Sequence, residues 1–277
     1  MGLVLFIIVV GLGVADYRRR DLEINVVLLA LAAVVGTPVV LLANAAELTL
    51  VGRLVDVRLP YRTSLVTSVT ASAANILPLP GSVLVRSWVL NRGGASARQV
   101  VGATAMAGVA WLVATFSLTG LAAVVGGFPA GWLLLAAAAA GMVPLRLMVN
   151  RTGHGHPLTV AALFGVEVTT VLAELGRYWV VLAALGVDSD LTIVSALVLA
   201  NVLATATGLF PGGLGVRELI AGLLGSFISL PAGVAITASA SDRIATSIVL
   251  GVILLGVGLS KGTLHLDSQI RGEVADA

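Results

Sequence analysis

The apolar positions of this sequence occur in long runs separated by short polar segments. A helix rises about 1.5 Å per residue and the hydrocarbon core of a bilayer is about 30 Å thick, so a membrane-spanning helix needs about 20 apolar residues. Five runs fit this length, each bounded by a charge, Gly or Pro: Ile24–Ala46, Val100–Val125, Trp132–Val149, Leu158–Leu185 and Ala232–Leu259. A shorter run, Leu3–Ala15, has no basic start and no small-residue cleavage site, so it predicts a first helix and not a removable signal peptide.

Two further apolar regions are interrupted by Pro and Gly. Thr63–Leu77 leads into PLPGS and a short helical segment, and Leu191–Phe210 leads into PGGLG and another short segment. Proline removes a backbone donor and glycine adopts conformations that other residues resist, so a helix has to end at each of these places. We call them the first break, residues 78–81, and the second break, residues 211–215. The predicted fold is an all-α polytopic membrane helix bundle with about six full spans and two broken or re-entrant segments.

The two breaks are related by a constant offset along the chain. Three residues at the first break recur 131 positions later without a gap, as Pro211, Gly212 and Arg217 for Pro80, Gly81 and Arg86. The offset indicates a duplication within one domain, 1–277, with halves of roughly 24–149 and 158–260 and a polar tail, 261–277. Three crossings between the breaks would invert the second copy, an arrangement typical of transporters that bind substrate near the bilayer midplane. Chance recurrence of Pro-Gly pairs in a chain rich in Ala, Gly and Val is the alternative.

Composition narrows the class of protein. The chain has 277 residues, of which 58% are hydrophobic and 11% charged, and this composition places it in a bilayer. The net charge of +2 comes from scattered Lys and Arg, so no nucleic-acid partner is expected. The sequence has no Cys, and His154 and His156 have no carboxylate near them in sequence, so we predict neither a metal nor a cofactor.

Basic residues set the predicted orientation. Most of those between the runs fall on one side of the membrane, which the positive-inside rule makes cytoplasmic: Arg53, Arg58, Arg62, Arg92, Arg98, Arg151 and Lys261. The cluster Arg18–Arg20 falls on the other side and is the exception. We therefore predict a multi-pass protein of the cell membrane with a cytoplasmic C-terminus.

The second break carries the most informative stretch, GLFPGGLGVRE. A helix beginning near Val216 would direct free amides into the break, and Arg217 would add a permanent charge beside that positive helix end. Such a site suits a lipid phosphate. The predicted substrate-binding residues here are Pro211, Gly212, Gly213, Gly215, Arg217 and Glu218. For Glu218 the partner is left open between Arg217, another buried Arg and a cationic headgroup.

The first break supplies a weaker set of the same kind. Its predicted substrate-binding residues are Asn75, Pro78, Pro80, Gly81 and Arg86. It lacks the acid, because Ser87 stands where Glu218 stands in the second copy. A purely structural reading of both breaks, as packed kinks with Arg reaching the surface, remains open.

Other charges interrupt the apolar runs. Glu167 and Glu174 are seven residues apart and share a helix face, with Arg177 one turn further on. A charge at the bilayer centre costs about 2.5 to 3.5 kcal/mol on insertion scales, so these carboxylates must face protein or water. They are candidates for proton coupling or headgroup contact, or Glu174 simply pairs with Arg177 on its own helix. Asp242 and Arg243 present the same choice.

The chain resembles the lysylphosphatidylglycerol synthase membrane region, a flippase-like family. The resemblance lies in PGGLGVRE, Pro211 to Glu218, with Leu230, Pro231, Ala238 and Arg243, and in a weaker first segment: Asn75, Leu77, Pro78, Pro80, Gly81, Arg86, Leu90, Gly94 and Ala103. It implies translocation of lipid between leaflets. The aminoacyl-transferase domain of some relatives is absent here. The family often has an acid near the first break and an Arg in the next helix, where this chain has Gly81-Ser82 and Val109 to Leu112. If those charges recognise the headgroup, the substrate here differs from an aminoacylated phosphatidylglycerol.

The leading functional prediction is a non-enzymatic flippase for a phospholipid or a lipid-linked glycan. The alternative is a non-transporting scaffold or accessory subunit of an envelope lipid or glycan pathway, with envelope-synthesis enzymes or a second copy of the chain as partners. A membrane-embedded enzyme is disfavoured, since a nucleophile candidate such as Ser82 has no base near it in sequence.

Overall fold

The computed structural model describes residues 2–20, 23–75, 81–152, 157–207 and 213–259, and the regular structure of these residues is α-helical. In chain order the helices are α1 Gly2–Arg18, α2 Val26–Leu54, α3 Tyr61–Ala74, α4 Gly81–Arg92, α5 Ala97–Val125, α6 Ala130–Thr152, α7 Pro157–Ala184, α8 Leu191–Thr207, α9 Val216–Phe227 and α10 Ala232–Leu259. The predicted all-α polytopic bundle is confirmed.

Five of these helices are long and apolar enough to cross a membrane, and they are α2, α5, α6, α7 and α10. Each corresponds to one of the five long runs of the sequence. The 17 residues of α1 extend about 25 Å, less than a full hydrocarbon thickness. Large apolar side chains face outward from the bundle, for example Leu133 at 74% and Leu158 at 81% exposure, as expected of a surface that meets lipid.

The helices form two sets of five that follow the offset found in the sequence. Adding 131 to the limits of α2 gives 157–185, and α7 spans Pro157–Ala184. The same offset aligns α1–α5 with α6–α10 to within four residues at every helix end. Packing repeats as well: α5 contacts α6, α7 and α8, and its equivalent α10 contacts α1, α2 and α3. The helix limits and the packing therefore both follow the offset, which relates α1–α5 to α6–α10.

The two units run in opposite directions. The backbone amide of Asn25, just before α2, donates to the carbonyl of Ala184 at the end of α7, with an N to O distance of 2.7 Å. Further along α2, Gly36 lies against Arg177, and a Cβ on Gly36 would come within 2.7 Å of the Arg177 Cδ. From the start of α2 onward, the contacts therefore move from the end of α7 toward its start. Because these two helices are repeat equivalents, their antiparallel packing shows that the second copy is inverted.

Each break lies between two short helices that pack on each other. The 14 residues of α3 and 12 of α4 extend about 21 and 18 Å, each shorter than the membrane. Glycine permits the close approach: a Cβ on Gly81 would lie 2.4 Å from the carbonyl oxygen of Ala74, and one on Gly213 would lie 3.0 Å from the Ala204 Cβ. The chain therefore folds back at both places, as α3–α4 and as α8–α9, and each pair is a helical hairpin.

Candidate functional site

The predicted site residues divide between two groups of buried charges. Four of them lie outside the described residues, namely Pro78, Pro80, Pro211 and Gly212. The others fall near the two hairpins. We call Glu174, Arg177, Arg217, Glu218, Asp242 and Arg243 the second-half network, and Glu47, Arg86 and Glu167 the first-half cluster.

Arg217 is held on all sides by the protein. The residue is 8% exposed, and its Nη2 lies 2.5 Å from the Oδ2 of Asp242 on α10. The same nitrogen donates to the hydroxyl of Tyr178 on α7, and Nε donates to the Ser239 Oγ at 3.1 Å. The arginine at the start of α9 therefore joins three helices, which are α7, α9 and α10.

Asp242 serves two arginines at once. Its Oδ1 lies 2.8 Å from the Nε of Arg177, and the Asp242 side chain is 1% exposed. The predicted alternative, in which Arg177 pairs with Glu174 on the same helix, is corrected by this geometry: α10 packs beside α7 and supplies the partner. Glu174 instead accepts a hydrogen bond from the Asn201 Nδ2 at 3.3 Å, and its second oxygen is buried without a hydrogen-bond partner.

Glu218 pairs with Arg243 and caps its own helix. Its Oε1 lies 2.9 Å from the Arg243 Nε, and its Oε2 accepts from the backbone amide of Gly215 at 3.0 Å. Arg243 also donates to the carbonyl of Gly213 at 3.3 Å. Of the three partners that the sequence left open for Glu218, the structure shows the second, another buried Arg, which is Arg243. Of the amides at this helix start, which were predicted to be free for a substrate anion, that of Gly215 is bound by the Glu218 carboxylate.

The glycines of the second break meet a conformational requirement. Gly213 and Gly215 have φ of +65° and +79°, values that side-chain-bearing residues rarely adopt. Gly215 also lies against α1, since a Cβ there would come within 2.9 Å of the Phe6 backbone nitrogen. These two positions thus set the entry into α9 and carry Arg217 to its partners. The substrate-binding role of the second break stays a prediction, and it requires a conformation in which a headgroup replaces Asp242 or Glu218.

The first break has a different polar arrangement. The Asn75 Oδ1 accepts from the backbone amide of Ser82 at 3.1 Å, so Asn75 caps the start of α4. Arg86 pairs with Glu47 of α2 across 2.8 Å, with their side chains 20% and 13% exposed. The acid missing from the first break in sequence is therefore supplied by another helix.

Sequence reasoning missed Glu47 because it ended the apolar run at Ala46, whereas α2 continues to Leu54. The repeat offset of 131 positions could have pointed to Glu47. It places Glu47 opposite Tyr178 and Arg86 opposite Arg217, and both pairs are in contact. Had the offset been extended back along α2, both missed residues would have been found.

Glu167 completes the first-half cluster and has no ion pair of its own there. It is 4% exposed, its Oε1 is buried without a hydrogen-bond partner, and it lies within electrostatic range of Glu47 and Arg86. The Arg86 Nε is likewise buried without a partner. In the second-half network both oxygens of Glu218 are bonded, whereas Glu174 has one buried oxygen without a hydrogen-bond partner, as Glu167 does.

A cavity lies at the end of α2, near the basic residues. Its volume is about 390 Å³, and it is lined by Thr49, Arg53, Arg58 and Leu59. Both arginines are exposed. The same end of the bundle includes Trp88, 46% exposed, with the Arg92 guanidinium 4.3 Å from its ring centroid. Amphipathic side chains of this kind suit the level of lipid headgroups.

Among the described residues no group of three or more His, Asp or Glu side chains is arranged to hold a metal ion. No family model matches the chain, and no curated protein matches it. The resemblance drawn from the sequence motifs stays a prediction.

Proposed function

We propose that this chain moves a lipid with an anionic headgroup between the two leaflets of a cell membrane. The observation that supports it is the charged centre of an inverted repeat: carboxylates and guanidinium groups lie buried between the antiparallel helices α2 and α7 and the two hairpins. Charges are costly inside a bilayer and usually mark a substrate or ion pathway. Inverted repeats with interrupted helices are the usual frame for alternating access.

Arg86 is the proposed first contact for the headgroup. It is one-fifth exposed, has a single carboxylate partner and keeps an unpartnered Nε. A guanidinium group binds phosphate through two parallel hydrogen bonds, so a phosphate could use the nitrogen that Glu47 leaves open. Arg217 is its repeat equivalent, and its Nε and Nη2 are bonded to Tyr178, Ser239 and Asp242.

This difference between the halves suggests how transport would proceed. In the described conformation Arg217 is bonded to three side chains and Arg86 to one. In the opposite state the halves would exchange arrangements, so that Arg217 leaves Asp242 and takes the phosphate while Arg86 closes on its own partners. A headgroup would then pass from one repeat to the other near the middle of the bilayer.

The basic cavity at the end of α2 suits the approach of such a lipid. Arg53 and Arg58 line about 390 Å³ at the same end of the bundle as Trp88. The substrate class is a lipid phosphate, either a phospholipid or a polyprenyl-linked compound. The departures from the family that the sequence resembles favour a headgroup other than an aminoacylated one.

The experiment is movement of headgroup-labelled phosphatidylglycerol in proteoliposomes, followed by quenching of the label from outside. The purified chain should expose label from the inner leaflet faster than protein-free vesicles of the same composition do. A parallel series with labelled polyprenyl phosphate distinguishes the two lipid sources. Rates equal to those of empty vesicles for both lipids would refute the proposal.

A second function has its own supporting observation. Five of the six members of the second-half network form ion pairs between helices, so the network also suits a rigid scaffold, in which the charges fix helix positions. An accessory subunit of an envelope lipid or glycan pathway would co-purify with a synthase or glycosyltransferase and move no lipid by itself. The vesicle assay separates the two, since it contains the purified chain alone.

A further inference from the structure

The charges at the centre of the bundle do not balance. The second-half network holds three carboxylates and three guanidinium groups, whereas the first-half cluster holds two carboxylates and one guanidinium. The undescribed residues of the two breaks, 76–80 and 208–212, contain no ionisable side chain that could compensate. Among the residues that the structure describes, one buried carboxylate is therefore left without a counter-charge.

Glu167 is the carboxylate in excess. The other acid of the first-half cluster, Glu47, has Arg86 at 2.8 Å, whereas Glu167 has no such pair and a buried oxygen without a hydrogen-bond partner. An isolated ionised carboxylate is so costly away from water that it gains a proton instead. A protonated carboxyl keeps its place in the bundle without a counter-ion.

The helices around Glu167 leave few other groups to change this balance. Among the described residues packed on α7, α2 contributes Glu47 and the exposed Arg53, and α8 contributes no ionisable residue. The ionisable side chain of α5, Arg98, is in its exposed first turn, and those of α10 belong to the second-half network. Along α7 itself, Glu174 is the next acid, two turns away, and lies near Arg177 and Arg217.

We propose that Glu167 and Glu47 together form a proton-binding site that couples transport to proton movement, with Glu167 protonated at rest and Arg86 setting the charge of the pair. This role in coupling rests on the proposed lipid transport. A phosphate that takes Arg86 from Glu47 adds one negative charge to the cluster. One more proton then binds, to Glu47, and it leaves with the lipid on the other side, so one proton moves with each anionic charge.

The test is infrared difference spectroscopy of the purified chain in nanodiscs, reading the C=O stretch of protonated carboxyl groups at neutral pH. The wild type should show one such group in the bundle. Glu167→Gln should remove its band. Glu47→Gln should also remove it, because charges then balance and Glu167 ionises beside Arg86. Arg86→Gln should enlarge the band, since a second carboxylate loses its counter-charge. Glu23→Gln, at an exposed position, is the control and should leave the band unchanged.

The pattern across these variants decides the proposal. A band that persists in both Glu167→Gln and Glu47→Gln, or a wild-type chain with no protonated carboxyl, would overturn it. The spectroscopy needs no transported lipid, so it can succeed or fail independently of the vesicle assay. In vesicles that do transport, a pH gradient should bias the wild-type distribution of label at least severalfold. The double variant Glu47→Gln with Glu167→Gln leaves no carboxylate in the first-half cluster to take up a proton and should abolish that bias; an equal bias in the double variant would refute the coupling.

Discussion

Asp242→Asn tests the second-half network most directly. Asp242 is the carboxylate shared by Arg177 and Arg217, both of whose side chains are less than 10% exposed. Removing one partner of a buried ion pair costs about 3 to 5 kcal/mol, because a charge is left uncompensated. Asparagine keeps the shape and one acceptor oxygen, so we expect the lower end of this range, about 3 kcal/mol of unfolding free energy. That is a large part of the roughly 5 to 15 kcal/mol that stabilises a typical domain.

The assay is reversible unfolding of the purified chain in mixed micelles, with Asp188→Asn as the matched control because Asp188 is exposed. A double variant, Asp242→Asn with Arg217→Gln, removes the surplus positive charge together with the carboxylate. Its loss of unfolding free energy should be smaller, by about 1 kcal/mol or more, than the sum of the losses in the two single variants, as expected of residues in contact. A loss below about 0.5 kcal/mol in Asp242→Asn, the size of an ordinary surface substitution, would refute the reasoning.

Two further predictions test the geometry around the breaks and the repeat. Gly215→Ala should lower the free energy of unfolding by about 1 to 2 kcal/mol because φ is positive there, and by about 1 to 3 kcal/mol more because the new Cβ would be too close to α1. Gly94→Ala is the control: Gly94 has φ of +99° and open space around it, so only the first loss is expected. Equal losses of unfolding free energy in the two variants would contradict the contact with α1. Because the chain has no native Cys, Asn25→Cys with Ala184→Cys should form a disulfide on mild oxidation, while Asn25→Cys with Leu158→Cys at the far end of α7 should not; crosslinking in the second pair alone would contradict the antiparallel packing.

Much of the fold could be predicted from the sequence because the bilayer imposes a length on each helix. The five long runs appear as the five membrane-spanning candidates, and the Pro-Gly breaks lie between the short helices of each hairpin. The repeat offset, read from a few residues around Arg86 and Arg217, holds for all ten described helices. The inversion of the second copy was predicted by counting three crossings between the breaks, and the contact of Asn25 with Ala184 agrees with it.

The site could be predicted in membership but not in pairing. The sequence predicts Arg217 and Glu218 as substrate-binding residues and Arg177, Asp242 and Arg243 as a possible charge network, and all five lie in the second-half network. Their partners depend on which helices lie side by side, and the sequence does not reveal this. Hence Arg177 pairs with Asp242 and not with Glu174 of its own helix, and the Gly215 amide at the start of α9 is bound by Glu218.

The proposed headgroup contact is tested most directly by the initial rate at which the Arg86→Gln variant moves labelled lipid. The rate is measured at matched reconstitution, and the control is Arg146→Gln, at an exposed position on α6. Loss of a charge-assisted hydrogen bond is worth about 1.5 to 3 kcal/mol, which corresponds to a rate reduction of roughly 10-fold to 100-fold. We predict such a reduction in Arg86→Gln and a wild-type rate in the control. A rate for Arg86→Gln within about twofold of the wild type, a difference of under about 0.5 kcal/mol, would contradict the role of Arg86.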